Sequence, residues 1–126
     1  MSSHTRAVRL FLVVETLAFL TAASVHFGLL FHGYEHSKAG TAESVIAGAL
    51  FLGLVLAAIR PASTRAIGLA AQGFALLGTL VGIFTIAIGI GPRTAPDLTF
   101  HVGMVIVLLF GLVTAARGPW PVRAKS

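Results

Sequence analysis

No cysteine occurs among the 126 residues, which excludes a disulfide framework, a thiolate metal site, an iron–sulfur cluster and a cysteine nucleophile. Any metal would have to be held by His, carboxylate or amide groups. Acidic side chains are scarce, four in all, and charged residues of both signs make up only 10% of the chain, against about a quarter in soluble domains. With 56% hydrophobic residues and a mean hydropathy of +0.94, so little charge excludes a water-soluble monomer. The nine Lys and Arg give a formal charge of +5, but they sit in short clusters between apolar runs rather than in a patch with aromatic neighbours, so nucleic acid is not an expected partner. A Gly-rich phosphate loop, the Ser-His-Asp order of a hydrolase and a soluble segment large enough for a catalytic domain are all missing.

What the chain does have is long apolar runs. A hydrocarbon core of about 30 Å needs roughly 20 apolar residues in a helix. Four stretches qualify: residues 7–31, 42–59, 66–90 and 98–116. The links between them carry charge, Gly and Pro, and their brevity makes successive helices antiparallel neighbours. Thr41 with Glu43 in the following turn, and Pro96-Asp97, read as helix starts. The expected fold is all-α, a single integral membrane domain forming an antiparallel four-helix transmembrane bundle. The first span also has the form of a cleaved leader, since Arg6 and Arg9 precede an apolar stretch with small residues at Ala22-Ala23-Ser24. Apolar character continuing to Phe31 without a polar region argues that the span is retained.

Arg6, Arg9, Arg60, Arg65, Arg117, Arg123 and Lys125 fall at one end of these spans, and only Lys38 and Arg93 at the other. The excess of basic residues in cytoplasmic segments places both termini in the cytoplasm. Ala- and Arg-rich, Lys-poor usage points to a GC-rich bacterial genome, and the expected location is a bacterial plasma membrane. Trp120 reads as an interfacial anchor beside basic residues that favour anionic lipid head groups.

A shift of 58 residues lays Thr41–Pro61 over Thr99–Pro119, matching Gly53 with Gly111 and both end markers. A shift of 57 then sets the first span over the third and aligns Glu15 with Gln72. This is the pattern of two helical hairpins repeated in the same orientation. In the third span, Gly78, Gly82 and Gly89 with Ala71, Ala75 and Thr85 make a face of small residues suited to close helix packing.

Most of the polar chemistry gathers at the end opposite the termini. His26 and His101 each lie about 9 Å from the centres of their spans, with Glu43 a little further out. Two imidazoles and a carboxylate form a candidate site for Zn, Cu or Fe, and two facing imidazoles a candidate pair of axial ligands for haem b. The alternative is that Glu43 complements its helix dipole while both histidines are interfacial. His32-Gly-Tyr-Glu-His36 matches the H-x-x-E-H spacing of some zinc peptidases, although Gly33 weakens the helix that this chemistry needs. If the first helix extended that far, His32 and His36 would share a face and join the metal site; otherwise they make an interfacial polar cluster with Tyr34 as anchor.

Glu15 is the costliest residue, because a charged carboxylate near mid-span carries a penalty of about 2.5–3.5 kcal/mol. It must face the bundle interior or hold its proton. Gln72 offers an amide that can donate to a carboxylate or accept from a carboxylic acid. Eleven residues, three helical turns, place Glu15 and His26 on one face about 16 Å apart, as for a proton or cation path. An interhelical hydrogen bond holding the bundle together is the structural alternative.

The expectation from sequence is therefore a non-catalytic accessory or assembly subunit of the membrane, packing as a homo-oligomer or in a larger membrane complex. Its His/Glu cluster is the candidate metal or haem site. Two further readings stand beside it: a small proton-coupled transporter using Glu15, and a membrane oxidoreductase with a histidine-ligated metal.

Overall fold

A computed structural model of the chain describes residues 1–120. Four helices, α1 (Ser3–His26), α2 (Ser37–Ile59), α3 (Thr64–Ala87) and α4 (Ala95–Ala116), account for nearly all of it, with a single 3-10 turn at Pro61–Ser63 between α2 and α3. All four are long and apolar enough to cross a membrane. Each packs against its neighbours in sequence, and α4 closes the ring on α1, giving the expected antiparallel bundle. The start of α1, the end of α4 and the α2–α3 link share one end, the terminal end; the α1–α2 and α3–α4 links share the other, the distal end.

The helix limits differ from the hydropathy reading, and local chemistry explains why. The α1 helix stops at His26 rather than Phe31 because Gly28 takes φ +72°, which lets the Leu29 N–H turn back to the Ser24 carbonyl at 2.9 Å. Gly89, at φ +85°, ends α3 in the same way, with the Ile90 N–H on the Thr85 carbonyl. At the other boundary, α2 starts five residues before the apolar run because the His36 ring accepts from the Ala39 N–H and caps it. In α4, Thr94 and Asp97 form a reciprocal capping box with Pro96 in the first turn. Laying the limits of α1 over those of α3 sets Ser3 over Thr64 and His26 over Ala87, about one helical turn from the register that aligned Glu15 with Gln72.

Val8, Leu12, Phe19, Ile46, Leu50, Met104 and Leu108 fill the core, with Ala47, Ala57, Ala71, Ala75 and Ala115 where the helices approach closely. The small face of α3 is such a seam: a Cβ at Gly78 would meet the Ile46 side chain at 2.7 Å, and one at Gly82 the His101 ring at 2.6 Å. Leu10, Leu17, Phe51, Leu77, Phe84 and Phe110 point outward. That surface suits lipid and would be prohibitive in water.

Basic residues close the terminal end. Arg9 donates to the Ala57 carbonyl at 2.9 Å, and Arg65 to the Ala116 and Gly118 carbonyls. Each satisfies carbonyls that a helix C-terminus leaves free, and each brings positive charge to the negative end of a helix dipole. Arg65 also lies 3.9 Å over the Trp120 ring. Arg123 and Lys125 lie outside the described residues.

Candidate functional site

At the distal end, α1 finishes where α2 and α4 begin, and three ionisable side chains meet there. His26 is the last residue of α1, Glu43 sits in the second turn of α2, and Asp97 lies in the first turn of α4. The His26 Nδ1 is 2.7 Å from Glu43 Oε2 and its Nε2 is 2.9 Å from Asp97 Oδ1. All three are at most 6% exposed. A carboxylate on each ring nitrogen requires an N–H at both positions when both acids are ionised, which makes the imidazole a cation between two anions. Asp97 is fixed from the other side, its Oδ2 accepting from the Thr94 N–H at 3.1 Å and from the Thr94 hydroxyl. Glu43 Oε1 is buried and has no partner.

His101 lies one turn along α4 from Asp97, but its ring turns toward α3. Its Nδ1 donates to the Asp97 carbonyl at 2.7 Å, and its Nε2 lies against Gly82. With Glu43, His36 and Lys38 it lines a cavity of about 220 Å³ among α2, α3 and α4. Among the described residues, no three His, Asp or Glu side chains are arranged to hold a metal ion. The fold thus brings His26 and Glu43 together, leaves His101 in the adjoining cavity, and adds Asp97, an acid of the same end that the sequence marked as a helix start and not as a site residue.

His32 and His36 do not share a helical face. The chain from Phe27 to Glu35 is a loop, Gly33 takes φ +108°, and His36 is the cap of α2. The helical spacing of an H-x-x-E-H site is therefore absent, as Gly33 foretold. The His36 ring packs edge-on to His26 at 6.4 Å, while His32 is solvent-facing and bonds Glu35 at 3.1 Å. Glu35 lies outside the spans. Its own backbone N–H, the Gly33 N–H and the His32 ring hold its carboxyl below the ordinary glutamate value.

The second polar locus is at the middle of the bundle. Glu15 and Gln72 are both completely buried and meet across Gly111 of α4. A Cβ on Gly111 would lie 2.7 Å from Glu15 Oε1 and in collision with Gln72 Oε1, so only glycine leaves room for the two polar heads. Gln72 spends its amide N–H on the Gly68 carbonyl at 3.1 Å. Both Glu15 oxygens and Gln72 Oε1 are left without a partner. Three acceptors facing one another would be repulsive, whereas a protonated Glu15 supplies one O–H that the Gln72 oxygen can accept. Thr16 and Thr79 nearby are both buried and both bond back to their own helices.

Between the two loci lies an apolar layer. Phe19 sits one turn beyond Glu15 on α1 and meets Phe100 edge-on at 5.4 Å. Searches of family models, curated proteins and solved structures gave no match.

Proposed function

We propose that the chain is a small proton-coupled membrane transporter that binds and releases a proton at Glu15. The carrying observation is the Glu15 carboxyl, fully buried at mid-bundle with neither oxygen partnered and an equally unpartnered amide oxygen beside it. Protonated, the carboxyl can donate to Gln72 Oε1; ionised, all three buried oxygens are left unpaired, so the hydrogen bonding at this locus turns on a single proton. Here the spare acceptor capacity fits a site that gains and loses a proton. The Glu43–His26–Asp97 set, whose His26 shares a face of α1 with Glu15, supplies a polar entry at the distal end, and the Phe19 layer separates it from Glu15. In this reading the chain lies in a bacterial plasma membrane with both termini cytoplasmic, supported by Arg6, Arg9, Arg60, Arg65 and Arg117 at the terminal end against Lys38 and Arg93 at the distal end.

Infrared difference spectroscopy of the protein in lipid tests the proton site without knowledge of the solute. A protonated-carboxyl band that changes reversibly with pH and vanishes in Glu15→Gln supports it. A Glu15 band that stays constant across the pH range in which the fold persists reduces Glu15 to structural glue and removes the reading.

A second reading, the accessory or assembly subunit, is favoured by a different surface. Between α2 and α3 a lipid-facing groove of about 400 Å³ is floored by Ala49, Gly53, Ala66, Ala70 and Ala71, small enough for another helix backbone to approach. Co-purification of a second copy or a larger complex in mild detergent, abolished by Ala70→Phe, supports it; a monomer in lipid nanodiscs argues against it. A metal ion would find the Glu43 and His101 cavity the best-suited place, with Zn, Cu or Fe the compatible ions. Geometry favours that ligand, haem b and the oxidoreductase reading less, because His26 has committed both nitrogens to carboxylates.

A further inference from the structure

A crevice of about 570 Å³ lies between α1 and α4 in the distal half of the bundle, and neither the Glu15 site nor the helix seams use it. One wall is the α1 face through Val14, Ala18, Ala22 and Val25, the other is Phe100 of α4, and Phe31 with Tyr34 from the α1–α2 loop form a roof. These two loop rings meet edge-on at 5.7 Å. His26 and Asp97 stand at the inner edge of the same crevice, each about nineteen-twentieths buried.

We propose that this crevice binds an amphipathic cation: an apolar or aromatic body bearing one amine, quaternary ammonium or phosphonium centre. The volume lies in the range of small-molecule sites, about 300–1,000 Å³. Charge selects the ligand. With both acids ionised the buried set at the edge holds two carboxylates and one imidazolium, a net negative charge, and Asp97 Oδ1 has a single partner, His26. Three aromatic rings, Phe31, Tyr34 and Phe100, line the crevice, and aromatic rings attract cations more strongly where water is excluded. An ordinary acyl chain would fill the space but leave a net charge facing hydrocarbon, whereas a cation neutralises it. Lys38 and His36 line the other distal cavity and do not oppose a cation here. This inference concerns a site distinct from Glu15 and stands whether or not Glu15 carries a proton.

The test is equilibrium binding of tetraphenylphosphonium to the protein in lipid nanodiscs, with uncharged tetraphenylsilane as the shape control. Saturable binding of the cation, at least about tenfold tighter than the control, is the expected result. Asp97→Asn should weaken it about tenfold by removing the charge, and Ala22→Trp should abolish it by filling the crevice without touching an ionisable group. Glu15→Gln should leave it unchanged, which separates this site from the proton site. Should Asp97→Asn fail to fold, judged by circular dichroism and gel filtration, Ala22→Trp decides alone. Equal binding of the neutral control identifies a lipid slot and overturns the proposal, as does cation binding that survives Ala22→Trp.

Discussion

Replacing Gly111 by alanine tests the geometry at the middle of the bundle. The new methyl would lie 2.7 Å from Glu15 Oε1 and in collision with Gln72 Oε1. Neither side chain can retreat easily, since both are fully buried and Gln72 is tied to the Gly68 carbonyl. Overpacking of this kind costs about 1–3 kcal/mol. Gly103, on the same helix, has nothing within 4 Å of an added Cβ, so Gly103→Ala should be neutral or gain up to about 1 kcal/mol of helix propensity. The two substitutions make the same chemical change in one helix, and their stabilities should differ by about 1–4 kcal/mol. Reversible unfolding in mixed micelles, with secondary structure followed against denaturing detergent, measures this difference. The cycle is completed with Gln72→Ala, which removes the nearest obstacle and should cut the cost of Gly111→Ala by about 1 kcal/mol or more. Equal effects at Gly111 and Gly103, or strict additivity in the cycle, would refute the claimed meeting of Glu15 and Gln72 across Gly111.

Three more outcomes follow from the distal end. His26→Leu should destabilise the bundle by about 3–5 kcal/mol, because it strands two buried carboxylates, and adding Glu43→Gln should recover part of that loss; a cost under 1 kcal/mol would show that the ion set is not formed. Thr94→Ala removes the side-chain cap of α4 and should cost about 0.5–2 kcal/mol, with faster amide exchange confined to the first turn; exchange unchanged there would contradict the capping box. Glu35 has a depressed carboxyl, so the loop order it provides is present above the unfolded glutamate value and is lost as pH falls through the lower folded value. A carbon NMR titration should place its inflection below that of an ordinary glutamate, with Gly33 amide exchange rising over the same range; an ordinary inflection would disprove the loop contacts.

Membrane residence, four spans, antiparallel order and the gathering of polar groups opposite the termini were legible in the residues themselves, because hydropathy and chain punctuation act locally. The meeting of Glu15 and Gln72 was also legible, since a mid-span carboxyl needs a polar neighbour and few exist. Helix ends were less so: hydropathy runs on to Phe31, but the backbone turn at Gly28 stops α1 at His26. Asp97 beside Pro96 announced a helix start, and its bond to His26 could not be seen. That bond depends on how α4 is rotated against α1. Rotation is set by packing, by Gly78 and Gly82 admitting Ile46 and His101 and by Phe19 meeting Phe100, all of which join residues far apart in the chain. Amino-acid order determined which groups had to leave lipid, since that cost belongs to each residue alone, and only the tertiary structure decided which of them would face one another.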